Sequence, residues 1–322
     1  PLIYRAVSTW FIAVEKNKES LLSAIEEIRF VPDHIKTGRF GKWIENARDW
    51  AVSRNRYWGT PLPIWESLDG EDHIVLGSKE DLETATATTI ADLHRQHIDE
   101  LVIEKGGKKY RRVQEVFDCW FESGCMPYAQ NHYPFAGTRK TEESFPADFI
   151  AEGLDQTRGW FYTLSVIGAA LFEKPAFKNV VVNGIVLAEN GEKMSKSRKN
   201  YPAPERVIEK YGADAIRLYL LKSPAVRADD LRFSSEGVEL VLRQILLPFY
   251  NSYVFLATYA AIYQWEPGPL YTSATIDRWI LSKTEGLIES VQKALDSYEL
   301  IRAVRALLGF FDELTNWYIR RS

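Results

Sequence analysis

The sequence predicts an α/β fold with an open sheet, followed by an all-α helical region. An apolar, β-branched run is typical of a buried strand and is followed by an Asn190-Gly191 turn; it contains Val180, Val181, Val182, Ile185 and Val186. Residues 147–163 have the order of strand, glycine and helix that occurs where a sheet edge binds a ligand. From Ser235 onward, apolar residues recur at helical spacing, which indicates packed helices.

The composition is that of a large globular protein without an overall charge signal. The 322 residues are 46% hydrophobic, and 40 basic against 44 acidic residues give a net charge of −4. Any RNA contact must therefore come from local patches. Two cysteines, Cys119 and Cys125, exclude a four-cysteine zinc site. Because we find no run of about eighteen apolar residues and no signal sequence, we expect a soluble cytoplasmic protein. The chain begins at Pro1 in mid-pattern, so we also expect a piece of a longer polypeptide.

The first predicted elements are an extended segment and two helices. Residues 2–14 are rich in β-formers and are predicted to be extended. Residues 17–29 carry apolar residues at helical spacing, with Asn17 as the predicted N-cap. Trp43, Ala47 and Trp50 fall on one face of a further predicted helix.

Arginine and tryptophan alternate in residues 40–65. Arg54 and Arg56 could hold a phosphate, and the neighbouring tryptophans could stack on a base. The alternative, which we expect for most of these residues, is that the tryptophans fill the core and the arginines pair with local acids.

Residues 66–112 predict a small inserted subdomain of short strands and turns. His94 and His97 are three residues apart, as in a metal pair on a helix, but no third ligand cluster lies near them in sequence. We expect a surface helix here and no metal site.

Two more strands are predicted to end in polar residues. Alternation over residues 116–121 indicates a strand that runs into a Ser-Gly turn, and residues 148–151 indicate a strand that ends at Glu152 and Gly153. A helix is predicted to begin near Asp155. Glu152 and Asp155 are suited to ribose hydroxyls or a substrate ammonium, and helix capping is the alternative for each.

A basic loop follows the strand at residues 180–186. It places four cations within seven residues, with serines between them: Lys193, Ser195, Lys196, Ser197, Arg198 and Lys199. Ammonium groups and hydroxyls on such a loop can stabilise the charge of a polyphosphate in a transition state. The same composition also fits a solvated surface turn.

The string Lys193-Met194-Ser195-Lys196-Ser197 favours the first interpretation, because it is the KMSKS signature of class I aminoacyl-tRNA synthetases. The resemblance implies that Lys193 and Lys196 stabilise departing pyrophosphate with Mg²⁺. It also places Met194, Ser195 and Ser197, together with Asn183 and Gly184, at the ATP site. Bacterial relatives have histidine where Asn183 stands. Asparagine is typical of the eukaryotic cytosolic type, for which a multi-synthetase complex of the full-length protein is an expectation.

Further motifs resemble the isoleucyl branch of this class. Residues 118–124 are similar to its Asp-x-Trp-Phe-x-Ser-Gly motif, and residues 152–161 to its Glu-Gly-x-Asp-Gln-x-Arg-Gly-Trp-Phe motif. Residues 53–63 resemble the segment that follows the editing insertion. The resemblance implies that Trp120, Gln156 and Trp160 bind the amino acid, with core packing as the alternative for Trp120. It implies that Glu152, Gly153 and Asp155 hold the adenylate.

The resemblance covers essentially all 322 residues and implies an order of domains. Residues 1–32 would end the editing insertion, and residues 33–200 would form the second half of a Rossmann-type catalytic domain with the insertion at about 66–112. Residues 201–235 would be the stem-contact fold, and residues 236–322 would begin the helical anticodon-binding domain. The implied activity is ATP-dependent conversion of L-isoleucine to isoleucyl-adenylate and its transfer to tRNA(Ile), without a membrane partner.

One departure from the family limits this expectation. The first family signature, His-x-Gly-His, and the editing core are absent from the sequence, so we expect the chain alone to be inactive. A valyl-type enzyme is the nearer alternative, disfavoured by the motifs at 118–124 and 152–161. The other alternative is a non-catalytic tRNA-binding module, which salt-sensitive tRNA binding without ATP affinity would indicate.

Overall fold

The computed structural model describes residues 7–268 and 272–322 and confirms a mixed α/β architecture with a helical C-terminal region. The described strands are β1 (Phe11–Ile12), β2 (Arg29–Val31), β3 (Trp50–Ala51), β4 (Ser53–Arg54), β5 (Ile64–Ser67), β6 (His73–Val75), β7 (Val102–Lys105), β8 (Lys108–Arg112), β9 (Val116–Phe117), β10 (Ile150–Gly153), β11 (Asn179–Asn183), β12 (Val186–Leu187) and β13 (Leu231–Arg232). The described α-helices are α1 (Lys18–Glu26), α2 (Gly41–Glu45), α3 (Lys79–Thr86), α4 (Arg95–Ile98), α5 (Cys119–Gly124), α6 (Met126–Ala129), α7 (Thr138–Ser144), α8 (Trp160–Phe172), α9 (Pro204–Tyr211), α10 (Ala213–Lys222), α11 (Ser235–Val241), α12 (Leu247–Ile262), α13 (Thr275–Asp296), α14 (Leu300–Asp312) and α15 (Ile319–Arg321).

The chain divides into two compact units. Unit 1 contains residues 1–29, 36–148 and 155–178, and unit 2 contains residues 30–35, 149–154 and 179–322. The chain therefore passes between the units several times.

Helix α8 forms the core of unit 1. Its residues from Phe161 to Ala169 are buried, as expected of a helix that is apolar on every side. Helices α1 and α5 pack against it. Gly124 of α5 permits this packing, because a Cβ atom there would lie 2.8 Å from Cδ1 of Ile167.

Residues 64–112 of unit 1 contain an antiparallel sheet in the order β6-β5-β8-β7 with a core of its own. This core is apolar and consists of Trp65, Leu82, Ile90, Ile98, Ile103 and Tyr110. The guanidinium of Arg112 is fully buried, and it donates from Nε to Oδ1 of Asp99 over 2.8 Å. Burial lowers the pKa of Arg112, whereas the hydrogen bond and charge of Asp99 act in the opposite direction.

The two histidines that the sequence offered as a metal pair lie at the surface, as expected. His94 and His97 are exposed, and His97 belongs to α4. Both rings lie beside the carboxylate of Asp92, with closest nitrogen to oxygen distances of 2.6 and 3.6 Å. Within residues 7–268 and 272–322, no three His, Cys, Asp or Glu side chains are placed to hold a metal ion.

Unit 2 contains a three-stranded sheet in the order β10-β11-β2 and a parallel pair, β12 and β13. The predicted strand at 180–186 is confirmed for residues 180–183, which belong to β11, and is interrupted before β12 resumes at Val186. Val181 packs with Val31 and Val226 in one apolar cluster. The predicted break at Gly212 is also confirmed, because this residue, with φ of +86°, separates α9 from α10.

A long apolar helix is the main feature of the C-terminal region. Helix α11, a π-helical turn at Leu242–Leu246 and α12 run continuously over Ser235–Ile262. By length and composition alone this helix could cross a membrane. Only 6% of its most apolar 18-residue stretch is buried inside the protein. Asn251 and Ser252 interrupt its apolar residues, which explains why the sequence shows no uninterrupted run of that length.

Several local predictions are wrong because a helix or a strand ends at a different residue from the one that the sequence pattern predicts. Helix α2 ends at Glu45, and Trp50 lies in β3, so Trp43 and Trp50 do not share a helix. The predicted strand at 116–121 stops at Phe117, where α5 begins. Of the predicted extended segment at 2–14, residues 2–6 lie outside the described residues, and β1 is limited to Phe11–Ile12.

Candidate functional site

The sheet of unit 2 brings three of the predicted adenylate and ATP ligands to one edge. Strands β10 and β11 are parallel, with Glu152 opposite Val182 and Gly153 opposite Asn183. The carboxyl ends of parallel strands meet at the same edge of a sheet, where α/β proteins bind ligands. Glu152 is exposed and Asn183 is half-buried, so a carboxylate and an amide are accessible there.

Gly184 follows β11 at a point of very close backbone packing. A Cβ atom at this position would lie 1.9 Å from the carbonyl oxygen of Asp229. The N–H of Gly184 donates to the carbonyl oxygen of Ala225 over 2.7 Å. Any other residue would displace one of these backbone segments, so the structure gives Gly184 a packing role.

The basic loop starts from a tight hairpin. Leu187 and Lys193 form an antiparallel bridge, and the N–H of Ala188 donates to the carbonyl oxygen of Glu192 over 2.9 Å. Gly191 has φ of +82°, which glycine adopts without strain. The predicted turn at Asn190-Gly191 is confirmed.

The side chain of Asn200 holds the far end of the loop. Its Oδ1 accepts a hydrogen bond from the N–H of Ser195 over 2.9 Å, and its Nδ2 donates to the carbonyl oxygen of Lys193 over 3.1 Å. The backbone closes further because the N–H of Lys199 donates to the carbonyl oxygen of Ser195 over 3.0 Å. The segment from Lys193 to Asn200 is therefore a closed loop rather than an extended strand.

The cations of this loop fall into two groups. Arg198 donates to Oε2 of Glu192 over 3.1 Å, so its charge is compensated within the loop. Lys193 and Lys196 are exposed and form no ion pair with any described residue. The hydroxyls of Ser195 and Ser197 lie 2.8 Å apart. Lys199 is also exposed and forms no ion pair with a described residue, so three ammonium groups and a hydroxyl pair are accessible to an anionic ligand.

Met194 serves as an apolar contact of the loop with unit 2. It lines a cavity of about 250 Å³, whose other walls include Val186, Tyr201, Val207 and Phe233. Met194 therefore anchors the second residue of the signature by apolar contact.

The predicted amino-acid ligands Trp120, Gln156 and Trp160 lie together around Gly159 in unit 1. A Cβ atom on Gly159 would lie 2.6 Å from Oε1 of Gln156 and 3.2 Å from Cη2 of Trp120. Nε1 of Trp160 donates to the carbonyl oxygen of Ser123 over 2.9 Å, which ties α8 to α5. Trp120 remains 40% exposed, so core packing does not account for this side chain.

Asp155 and Gln156 lie before the α-helix rather than in its first turn. They belong to a 3₁₀ helix at Leu154–Arg158, and α8 begins at Trp160. Oε1 of Gln156 accepts from the N–H of Trp160 over 2.9 Å, and Nε2 donates to Oδ2 of Asp155 over 3.1 Å. A helix thus begins near Asp155, as predicted, but its first turn is 3₁₀, and the α-helix begins only at Trp160, whose free N–H group is satisfied by Gln156.

Asp118 orients the helix that carries Trp120. Its side chain is buried and accepts from the N–H of Trp120, from Nε1 of Trp50 and from Nη2 of Arg54, over 3.3, 3.3 and 2.6 Å. Arg54 therefore pairs with a local acid, which is the alternative to phosphate binding that the sequence analysis offered. Sequence reasoning missed Asp118 because the residue was assigned to a strand, although an Asp before a helix is a typical N-cap.

Burial changes the titration of two groups beside this helix. It raises the pKa of Cys125 to about 11, and the negative charge of Glu122 contributes in the same direction. Burial also raises the pKa of Tyr162 to about 12, with a smaller contribution from Asp49. Neither group supplies a thiolate or phenolate near neutral pH.

Comparison with known protein families identifies the architecture. A family model described as "tRNA synthetases class I (I, L, M and V)" matches residues 2–233. The chain belongs to this family. A second model, "Anticodon-binding domain of tRNA ligase", matches residues 277–322 of this class I synthetase chain.

Curated relatives of the synthetase are named isoleucine–tRNA ligases. Those of Protochlamydia amoebophila and Chlamydia trachomatis serovar D are 62% and 59% identical over 324 residues, and each match covers 100% of this chain. The chain spans about a third, 31%, of the length of these relatives. Because they are bacterial, the eukaryotic-type lineage inferred from Asn183 is wrong.

Solved structures show the same fold. Mycobacterium tuberculosis methionyl-tRNA synthetase in complex with methionyl-adenylate has a TM-score of 0.68 at 18% identity, covering 97% of this chain and 53% of that one. The Agrobacterium radiobacter K84 agnB2 LeuRS in its ternary complex with tRNA and LeuAMS has a TM-score of 0.60 at 19% identity, covering 84% and 37%. These values confirm the class I synthetase fold of the chain.

Proposed function

We propose that the chain is the part of an isoleucine–tRNA ligase that binds ATP and L-isoleucine and begins the tRNA-binding region. The observation that carries this proposal is the 59–62% identity to isoleucine–tRNA ligases along the whole chain, the KMSKS loop included. The domain boundaries proposed from the sequence, at about residues 32, 200 and 235, and a cytoplasmic location belong to the same proposal.

The proposed reaction has two steps. A carboxylate oxygen of isoleucine attacks the α-phosphorus of ATP, and the bond to the β-phosphate oxygen breaks, which gives isoleucyl-adenylate and pyrophosphate. A ribose hydroxyl at the 3′ end of tRNA(Ile) then attacks the activated carbonyl carbon, and AMP leaves as the aminoacyl ester forms. The departing pyrophosphate accumulates negative charge in the first step, so accessible cations accelerate that step.

In this scheme the basic loop of unit 2 stabilises the leaving group. Lys193 and Lys196 are suited to this because their ammonium groups lack an internal carboxylate partner among the described residues. Mg²⁺ would be held by ATP itself, as is common for phosphate substrates, and would neutralise part of the phosphate charge. Ser195, Ser197, Met194, Asn183 and Gly184 complete the proposed ATP-binding set.

The remaining proposed ligands divide between the adenylate and the amino acid. Glu152, Gly153 and Asp155 would hold the adenylate through its ribose hydroxyls and the substrate ammonium. Trp120 and Trp160 would contact the branched aliphatic side chain, with Gln156 beside them. Such a pocket discriminates against valine, which lacks one methylene, by only about 1–3 kcal/mol. The full-length enzyme would therefore need hydrolytic editing.

The decisive experiment is ATP–pyrophosphate exchange by the full-length protein with isoleucine, valine or leucine. Exchange should be fastest with isoleucine and should fall at least about a hundredfold in Lys196→Ala, since a transition-state cation is removed. Lys109→Ala removes an exposed lysine paired with Glu104 and serves as the matched control.

Other results of the exchange experiment would support one of the alternative functions. Exchange fastest with valine would indicate a valyl-type enzyme. Absence of exchange together with salt-sensitive tRNA binding would indicate a non-catalytic module. The 322-residue chain, which lacks the His-x-Gly-His signature, should be inactive alone, and isoleucine-dependent exchange by it would refute that part of the proposal.

A further inference from the structure

A second concentration of positive charge lies in unit 1, whereas the KMSKS sequence belongs to unit 2. A cavity of about 500 Å³ is lined by Gly38, Arg39, Lys42, Trp43, Asn46 and Arg158, here called the basic pocket. Its lining contains three cations and no carboxylate. Like charges held around one cavity repel each other unless an anion compensates them.

The cations of the basic pocket are held in place by neutral contacts rather than by acids. Nε of Arg39 donates to Oγ1 of Thr157 over 3.1 Å, and Thr157 is buried. The guanidinium of Arg158 lies over the ring of Trp43, with 4.9 Å between Cζ and the ring centroid. Among the described residues, none of the three cations forms an ion pair.

These contacts leave most donors of the two arginines unused. Arg39 uses Nε on Thr157, and its terminal nitrogens make no hydrogen bond to another described residue. An arginine stacked on an indole presents its N–H edge outward while its face is covered. Lys42 and Arg158 are exposed, so this positive surface is accessible to solvent.

We propose that the basic pocket binds a phosphate group of an RNA backbone. A phosphodiester presents oxygen acceptors that match the fork of donors on arginine. A cavity with exposed cations suits a polymer that passes across it better than a small ligand, which binding sites normally bury by 70–90%. The proposal rests on the proposed function, because tRNA is the polyanion that this function supplies.

The test measures binding of fluorescein-labelled tRNA(Ile) transcript to the 322-residue chain by fluorescence anisotropy at several salt concentrations. Arg39→Gln with Arg158→Gln should weaken binding roughly tenfold or more at low salt. The double variant should also reduce the slope of log affinity against log salt by about 1. Arg139→Gln removes one positive charge from an exposed pair with Glu143 and should change neither quantity.

Further variants keep the test sensitive if the double variant is poorly folded. Lys42→Gln removes the pocket cation that takes part in neither the hydrogen bond to Thr157 nor the stacking on Trp43, and it should reduce affinity and slope in the same direction. The double replacement by lysine retains the charges and should recover most of the slope. Unchanged RNA affinity and slope in the folded glutamine variants would overturn the proposal.

Competition with inorganic tripolyphosphate distinguishes RNA from a free phosphate compound. If the variants lose tripolyphosphate binding while tRNA binding is unchanged, the pocket serves a free polyphosphate and the RNA assignment is overturned. Pyrophosphate exchange by full-length Lys42→Gln separates this test from the proposed function. Exchange uses no tRNA, so it should be unaffected by this variant, and its absence in the unaltered protein would count against the proposed function alone.

Discussion

Asn200 accepts a hydrogen bond from the backbone N–H of Ser195 over 2.9 Å, and this contact spans the basic loop. With the return bond from Nδ2 to Lys193, one amide side chain fixes both the first and the middle residue of the KMSKS sequence. The signature lysines are therefore presented from a closed loop whose shape depends on a residue outside the signature.

Replacement of Asn200 by alanine should open the loop without unfolding unit 2. Both side-chain hydrogen bonds are lost, and two such bonds contribute about 1–2 kcal/mol together, so the open population should rise roughly tenfold. Trypsin cleavage after Lys193, Lys196 and Arg198, followed by mass spectrometry, measures this opening. Asn200→Asp keeps the acceptor and should be intermediate. Asn251→Ala, at an exposed position of α12, is the control, and equal cleavage in both alanine variants would contradict the role of Asn200.

Trp160→Phe should weaken isoleucine use by the full-length enzyme. The substitution removes the indole N–H that donates to Ser123 and leaves the position of α5 less defined. Loss of about 1 kcal/mol should raise the KM for isoleucine about fivefold in pyrophosphate exchange while the KM for ATP stays unchanged. Trp265→Phe alters an exposed tryptophan and should have no effect. A parallel rise in both KM values would instead indicate general disorder of the site.

Asp99→Ala should destabilise the sheet of residues 64–112. The substitution leaves the buried guanidinium of Arg112 without its carboxylate, for which a cost of about 3 kcal/mol is typical. Urea denaturation followed by tryptophan fluorescence measures the change. Glu143→Gln breaks an ion pair at the surface, with side chains 90% and 64% exposed, and should cost less than about 1 kcal/mol. Similar losses in the two variants would show that burial of Arg112 is unimportant.

Cys125 should react with iodoacetamide only slowly until the pH approaches its raised pKa. Because the pKa of Cys125 is raised to about 11, most of this thiol is protonated at pH 8, and only the thiolate reacts. In Cys119→Ser the alkylation rate should therefore continue to rise up to about pH 11. Cys125 is the only thiol left in this variant. The double variant Cys119→Ser/Cys125→Ser has no thiol and gives the background rate of alkylation. A rate that levels off below pH 9 would contradict the effect of burial.

Sequence pattern predicted those parts of the fold that depend on local backbone geometry. Gly191 and Gly212 have positive φ and stand where a turn and a helix break were expected. The strand at 180–183 was expected from β-branched residues that are indeed buried. Each of these features depends on a few neighbouring residues, so it is visible in a short window.

Contacts between distant residues could not be predicted in this way. Phe117 and Phe121 fit an alternating strand, but their rings stack at 4.3 Å because the chain turns into α5 at Asp118. The N-cap of α8 is Gly159, and the N–H of Trp160 donates instead to Gln156, three residues further back, so nothing in the sequence marked Gln156 for this role. The basic pocket joins Arg39 and Lys42 to Arg158, which lies more than a hundred positions later in the chain.

The long apolar helix has a practical consequence for work with the 322-residue chain in solution. Its aromatic side chains are largely uncovered, among them Phe249, Tyr250, Tyr253, Phe255 and Tyr259 at 49–65% exposure. Apolar surface of this extent promotes self-association and captures amphiphilic dyes. Light scattering and fluorescence of an anilinonaphthalene sulfonate dye should therefore rise with protein concentration. Mild non-ionic detergent covers apolar surface and should suppress the light scattering, which sets the conditions under which the anisotropy titrations report RNA binding rather than aggregation.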